Sequence, residues 1–300
     1  MKTTRSARSL LAIIPLGVAG VATLVILQYR YDIRQAVERL ESEGSQVIDT
    51  PCGSIEYARE GSGPHVLVVH GNGGGFDQGL GLARAYLGKG FDVVAPSRFG
   101  YLRTPLPRGA SPALQADAYA CLLDALGIQQ ASLFTSSAGV TSAVQFALRH
   151  PDRLTALVLH SPNAPGRVEM ALPPKAVLSA LFHSNFAYWV MITGLRRAME
   201  PFVGVPKGWV LTPEQEAAVT AALKEVVPVS ARGDGMIFDT FVSNPEINSG
   251  YPFASIRAPT LVVSAVDDPE APHANARVLA AAIPGARLLA VADGGHLMLG

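Results

Sequence analysis

Between residues 65 and 160, strand-like and helix-like runs take turns, and this alternation constrains the fold more than any other feature of the chain. His65-Val66-Leu67-Val68-Val69-His70 and Phe91-Asp92-Val93-Val94-Ala95 read as strands, with a helix-like run from Gly79 to Leu87 between them. Helix-like Pro112 to Leu126 then leads to strand-like Ala131 to Phe134, and helix-like Ala138 to His150 leads to strand-like Leu154 to His160. Strands joined through helices cannot pair as hairpins, so the pattern predicts a mostly parallel, doubly wound α/β sheet covered on both faces. Ligands of such sheets bind at the carboxyl ends of the strands.

The alternation stops between Ser161 and Pro252, where helical segments are broken by proline and glycine. Residues 162–252 are therefore expected to form a helical cap inserted into a core made of residues 47–161 and 253–300. Within the cap, the apolar run from Ala176 to Leu195 is interrupted by His183-Ser184-Asn185 and is not expected to span a membrane. Its Phe182, Phe186, Tyr188 and Trp189 suggest an apolar acyl or alcohol group on a substrate, although such a cluster more often serves ordinary helix packing. Thr212-Pro213 followed by Glu214-Gln215-Glu216 is a helix start signal. Strand-like Thr260 to Ser264, an acidic loop, a helix from His273 to Ile283 and strand-like Arg287 to Val291 complete the core.

Ahead of the core, Leu10 to Leu27 carries no charge. As a helix rising ~1.5 Å per residue it approaches the ~30 Å thickness of bilayer hydrocarbon. Residues 1–30 are expected to be a retained membrane anchor through residues 10–27, and residues 31–46 a short amphipathic helical stalk or, slightly favoured, a helix packed on the domain. Lys2, Arg5 and Arg8 precede the run, which favours a catalytic domain outside the cytoplasm. The alternative is secretion after signal cleavage near Gly20 and Ala22. Cys52 and Cys121 show no metal-ligand spacing and are expected to be two buried free thiols, with a disulfide as the alternative that export would favour. With Lys+Arg and Asp+Glu both at 24, there is no electrostatic footprint for nucleic acid, and a small, neutral or apolar substrate is the expected partner.

The chemistry is expected at Leu133 to Val140, where a strand turns into a helix through small residues and can hold the Ser137 hydroxyl out of the sheet. Gly139 suits such a turn, whereas Thr135 places a β-branched side chain where a small residue is needed. Adjacent Ser136 competes, but it would put Phe134 at the small-residue position. Asp267-Asp268 and then His296 each follow a strand at the same edge of the sheet. A serine hydroxyl needs a base, and the base needs a carboxylate to hold its tautomer.

In these motifs, and over nearly all of the chain from about residue 50, the sequence resembles the α/β-hydrolase superfamily. His70-Gly71-Asn72-Gly73-Gly74-Gly75 is similar to its oxyanion loop, Thr135 to Gly139 to its nucleophile elbow, Ala265 to Pro272 to its acid loop and Gly294-Gly295-His296 to its histidine loop. More narrowly, Gly74 to Leu80 with Ser97 to Pro105 is similar to a bacterial subgroup of uncharacterised hydrolases. The resemblance implies Ser137 as nucleophile, Asp268 as acid, with Asp267 as the alternative, and His296 as base. It also implies that the backbone N–H groups of Asn72 and Ala138 form an oxyanion hole, and that His70 is structural. His65, His150, His160, His183 and His273 have no partner pattern and are expected at the surface or in packing.

The implied activity is hydrolysis of a carboxylic ester through an acyl-enzyme. The scaffold also hosts amide, peptide, lactone and carbon–carbon bond hydrolysis, and a non-turnover ligand-binding protein is a second reading. A dehalogenase or epoxide hydrolase is disfavoured by serine at position 137. The glycine-rich loop lacks the Lys-Ser/Thr ending of a phosphate cradle, and no ligand cluster indicates a metal or organic cofactor. Only Leu297-Met298-Leu299-Gly300 follow His296, where the family usually carries a further helix, so either the sequence is a fragment or a weakly buttressed histidine loop is expected.

Overall fold

The computed structural model describes residues 4–168 and 172–299, with the side chains of residues 4–18 outside that description. Eight strands form one sheet: β1 (Gln46–Thr50), β2 (Gly53–Gly61), β3 (His65–Val69), β4 (Asp92–Pro96), β5 (Ala131–Ser136), β6 (Leu154–His160), β7 (Thr260–Ala265) and β8 (Arg287–Val291). Their order is β1-β2-β4-β3-β5-β6-β7-β8. β1 and β2 are antiparallel, as are β2 and β4, while every pairing from β4 to β8 is parallel. Cys52 to Ala58 reads as a strand in the sequence and corresponds to β2, whereas β1 and the antiparallel pairings are what the alternating pattern did not foretell.

Eleven helices are described: α1 (Thr4–Ser42), α2 (Phe76–Tyr86), α3 (Pro112–Ala125), α4 (Val140–Arg149), α5 (Lys175–Phe182), α6 (Asn185–Gly194), α7 (Arg196–Met199), α8 (Pro213–Glu225), α9 (Gly233–Phe238), α10 (Asn244–Glu246) and α11 (His273–Ala282). Local chemistry explains several of their ends. Ser111 caps α3 by accepting from the Leu114 N–H, with Pro112 at the first position. Thr212 and Gln215 form a capping box that starts α8.

One face of the sheet buries Leu67, Val69, Leu133, Leu157 and Val262 with apolar residues of α3, α4 and α11. The other buries Val66, Val68, Val93 and Phe134 with Phe76, Leu80 and Ala83 of α2. A third apolar cluster lies in the cap and includes Leu178, Tyr188, Ile192, Val219 and Leu223. The run from Ala176 to Leu195 is divided between α5 and α6, which meet at a bend of 93° and could cross a membrane only as a bent pair. Among the described residues no single helix is long and apolar enough to do so. Residues 10–18 of the charge-free run lie outside those whose side chains are described.

The segment after residue 30 continues α1 to Ser42 and lies on the cap, so of the two expectations the packed helix holds and the free stalk does not. Ile33 and Ala36 pack against the cap cluster, and Asp32 accepts a hydrogen bond of 2.8 Å from Trp189 Nε1. Tyr29 stands edge-on to Phe186 and Trp189, with ring centroids 5.2 and 5.6 Å away. Tyr188 is buried and donates to the Leu223 carbonyl at 3.1 Å. The aromatic run expected to line a substrate therefore serves largely to hold the cap together and to seat α1 on it.

The cysteines are not free thiols. Cys52 and Cys121 form a disulfide, with Cα atoms 6.1 Å apart across a sequence separation of 69. The β1–β2 turn carries Cys52 over α3, which holds Cys121. Sequence spacing carried no trace of this approach.

Two fully buried arginines join cap to core. Arg98, just after β4, makes a double hydrogen bond to Asp239, and both side chains are almost wholly enclosed. Arg232, just before α9, pairs with Asp77 of α2 and donates to the Gly74 carbonyl. Arg39 of α1 joins the second cluster, 2.8 Å from Asp77 and also donating to the carbonyls of Glu225 and Val227. Burial pushes the Asp77 pKa up, but the two guanidinium groups outweigh it and hold the carboxyl at about 2, below its ordinary 3.8. This contribution to stability is complete above the ordinary value and disappears as pH falls through about 2. Asp77→Ala leaves Arg232 without its carboxylate in a dry site and is expected to cost about 3–5 kcal/mol at neutral pH, read from the denaturant midpoint.

Candidate active site

Six loops meet at the carboxyl ends of the parallel strands. They follow β3 (His70–Gly75), β4 (Ser97–Arg103), β5 (Ser137), β6 (Ser161), β7 (Asp267–Glu270) and β8 (Gly294–His296). Because β3 and β5 are neighbours, the glycine-rich loop lies directly against the elbow. A Cβ on Gly71 would come within 3.2 Å of the Ser137 Cβ.

Ser137 has φ 51°, a left-handed conformation uncommon for a residue with a side chain. It opens a 3₁₀ turn, Ser137–Gly139, that runs into α4. Thr135 is fully buried and is tolerated because Gly139 stands opposite it. A Cβ on Gly139 would collide with Thr135 Oγ1 and the His70 carbonyl. Thr135, which looked mismatched in the sequence, is thus complementary to Gly139 in space.

Ser137, His296 and Asp268 form a hydrogen-bonded chain. Ser137 Oγ lies 2.9 Å from His296 Nε2, and Asp268 Oδ2 lies 2.8 Å from His296 Nδ1. The separation in sequence between the serine and histidine is 159 residues. Asp268 Oδ1 accepts from the backbone N–H groups of Glu270 and Ala271, which fixes the carboxylate. Asp267, the alternative acid, instead accepts from the Gly295 N–H at 3.0 Å and so orders the histidine loop. Ser136, the rival nucleophile, faces His160 Nδ1 at 3.2 Å.

The histidine loop is held by the cap and by β6. The His296 N–H donates to the Gly204 carbonyl at 3.0 Å, and Ser161 Oγ donates to the His296 carbonyl at 2.9 Å. Gly204 has φ 68°, and any Cβ there would collide with His296. Leu297 and Leu299 pack against the cap cluster, and Gln215 donates to the Leu299 carbonyl at 2.9 Å. These contacts support the loop that was expected to be weakly buttressed.

Around the glycine-rich loop the hydrogen bonding is dense. Gln78 Oε1 accepts from the Gly71 N–H at 2.8 Å, and Arg98 Nη2 donates to the Gly71 carbonyl at 3.0 Å. Asn72 follows Gly71, and its Oδ1 lies 3.1 Å from the Tyr101 hydroxyl, which also donates to Asp239. His70 is fully buried, with Nε2 accepting from the Arg98 N–H at 2.9 Å and Nδ1 donating to the Gly71 carbonyl at 2.7 Å. Burial, reinforced by the charge of Arg98, holds its pKa well below 6.5, so it is a neutral, structural ring. Ala138, buried beside Ser137, presents the backbone of an emerging helix start.

The other histidines are better partnered than their sequence contexts suggested. His65 pairs with Asp92 at 2.6 Å, His150 with Asp117 at 2.8 Å and His183 with Asp234 at 3.1 Å. His160 is buried, and burial followed by the charge of His296 lowers its pKa to about 4. Sequence reasoning also passed over Asp239, Arg232 and Glu270 as residues of the site. The Ser97–Pro105 pattern flagged the Arg98–Tyr101 stretch, but nothing local pointed to partners about 140 residues away. Among the described residues no cluster of three His, Cys, Asp or Glu side chains is arranged to hold a metal ion.

A half-buried serine at a strand-to-helix turn, hydrogen-bonded to a histidine that a buried aspartate orients, is the arrangement of a hydrolase built on a parallel α/β sheet. The family model described as alpha/beta hydrolase fold matches residues 64–300, and the chain belongs to that family. It is 36% identical over 109 residues to the uncharacterized hydrolase YcgS of Bacillus subtilis, a match covering 36% of this chain and 38% of that protein. Its match to the putative carbamate hydrolase RutD of Klebsiella pneumoniae is 30% identical over 242 residues and covers 78% of this chain and 84% of that protein. The solved alpha/beta hydrolase fold protein from Nakamurella multipartita superposes with a TM-score of 0.65 at 27% identity, over 84% of this chain and 91% of that one.

Burial lowers the pKa of His296, but the charge and hydrogen bond of Asp268, together with the charge of Glu270, overcome it and push the value up to about 9. A histidine must be neutral to take a proton, so kcat/KM is expected to climb about tenfold per pH unit below this value and to level off near pH 9. A profile already flat at pH 7 would contradict this electrostatic environment. The same shift has the opposite sign for stability: the contribution is complete below pH 6.5 and is lost as pH rises through about 9.

Proposed function

We propose that this protein is a serine hydrolase, anchored by residues 10–27 with its catalytic domain outside the cytoplasm, that cleaves a small carboxylic ester through an acyl-enzyme on Ser137. The observation that carries the reading is the hydrogen-bonded chain from Ser137 through His296 to Asp268 at 2.9 and 2.8 Å.

In this reaction Ser137 Oγ attacks the ester carbonyl while its proton passes to His296 Nε2, and Asp268 stabilises the imidazolium that forms. The negative charge on the carbonyl oxygen is met by the backbone N–H groups of Asn72 and Ala138. Collapse of the tetrahedral intermediate breaks the carbon–oxygen bond, and His296 returns the proton to the departing alcohol. Water then repeats the sequence on the acyl-enzyme, with His296 again acting as base, and frees the acid. A Cβ added at Gly73 of the oxyanion loop would meet Val226 at 3.2 Å and Met236 at 3.7 Å, so apolar side chains border the loop, which suits an apolar acyl group. The name of the RutD relative makes a carbamate the second bond to assay.

Two features support the location. Val21, Leu24, Val25, Ile26 and Leu27 on α1 are exposed to solvent and continue the charge-free run from Leu10. The Cys52–Cys121 disulfide suits an oxidising compartment outside the cytoplasm. In intact cells, an alkylating reagent is expected to modify neither cysteine before reduction, and protease added outside is expected to reach the catalytic domain.

A fluorophosphonate probe is expected to label the wild-type protein covalently and to leave Ser137→Ala unlabelled. Ester turnover is expected to fall by a thousandfold or more, on the order seen when a serine nucleophile is removed. Labelling that persists in Ser137→Ala would overturn the assignment.

A further inference from the structure

The acid loop carries a second carboxylate at the site. Glu270 lies two residues beyond Asp268, whose Oδ1 accepts from its backbone N–H at 2.9 Å, so the turn that fixes the triad aspartate also fixes the position of Glu270. Glu270 Oε2 stands 3.6 Å from His296 Nε2, the nitrogen that faces Ser137 Oγ at 2.9 Å. The Glu270 side chain is 20% exposed, against 0% for that of Asp268. Asp268 is therefore sealed behind the imidazole, while Glu270 stands partly open on its reacting side.

Among the described residues no lysine or arginine forms an ion pair with Glu270. The two buried guanidinium groups near the site are committed elsewhere, Arg98 to Asp239 and Arg232 to Asp77. Burial pushes the Glu270 carboxyl up to about 7, with the charge of His296 opposing and that of Asp268 reinforcing. An ammonium brought beside it would favour the ionised form.

The chemistry of the histidine says which part of a substrate meets this carboxylate. His296 Nε2 hands its proton to the leaving oxygen, so that oxygen must come within hydrogen-bond reach of Nε2. The first atoms attached to it then lie beside Glu270, whereas the acyl group extends from Ser137. Resting on the ester-hydrolase reading above, we propose that Glu270 is the specificity-determining residue of the leaving-group side, and that the alcohol released carries a positive charge close to the scissile oxygen. The site then discriminates at both ends, with Val226 and Met236 beside the oxyanion loop and a carboxylate beside the departing alcohol.

The test compares acetylcholine with dimethylbutyl acetate, which has the same shape and no charge, using the full-length protein and its Glu270→Gln variant. The wild type is expected to prefer the cationic ester by about tenfold or more in kcat/KM, as a carboxylate within several ångströms of the charge in a partly desolvated site allows. In Glu270→Gln the ratio is expected to fall towards unity. Equal rates on the two esters in the wild type, or a preference that survives in Glu270→Gln, overturn the proposal while leaving the ester-hydrolase reading intact. Absence of Ser137-dependent hydrolysis of either ester, and of a wider ester panel, overturns both. The wild-type ratio needs no variant, so poor folding of Glu270→Gln would not shield the proposal from failure.

Discussion

The structure depends on two charged side chains placed where charge is costly. Arg98 and Arg232 are enclosed at the junction of cap and core, each facing a carboxylate on the other side of that junction. Removing such groups from water is expensive, and the cost is offset only when the geometry is good and the remaining donors find acceptors. Both arginines meet most of this condition by reaching the oxyanion loop as well, Arg98 at the Gly71 carbonyl and Arg232 at the Gly74 carbonyl, while the buried Nε of each is left without a partner. A shifted cap would break both pairs and leave Arg98, Asp239 and Arg232 without their charged partners. The arrangement of the cap and the shape of the oxyanion loop are consequently one problem with one solution.

Arg39 extends this coupling to α1. It contacts Asp77 and two cap carbonyls, so the helix that carries the apolar N-terminal run ends on the cluster that holds Gly74. The cap in turn supports the opposite wall of the site, because Gly204 holds the His296 backbone and its missing side chain leaves room for the ring. One inserted segment thus secures both the donors proposed for the developing oxyanion and the base proposed to move the proton.

The histidines show how environment separates chemically identical groups. His70 is buried between a backbone donor and a backbone acceptor, close to Arg98, and stays neutral. His160 is buried near His296 and is likewise held low. His296 is also enclosed, but two carboxylates face it and reverse the sign. Burial alone would make all three alike, and the placement of Asp268 and Glu270 makes one of them basic.

The alternation of strands and helices, the cap at Thr212 and the elbow at Ser137 were legible in the sequence because each is decided within a few residues. The order of Ser137, Asp268 and His296 could be read too, since each follows its own strand at a shared edge. The choice between Asp267 and Asp268 could not, because it turns on which carboxylate a loop directs at the imidazole and which at the Gly295 N–H. Thr135 looked wrong for the same reason, as its fit depends on the empty space at Gly139. The Cys52–Cys121 disulfide, the Arg232–Asp77 pair and the contact of Tyr29 with the cap aromatics join residues far apart in the chain. By itself, the sequence determined the local elements and the order of the reactive groups, because hydrophobic period and turn chemistry act at short range. Tertiary structure alone decided which charges are paired, which thiols meet and which carboxylate serves the histidine, because each depends on distances that exist only once the sheet and cap have closed.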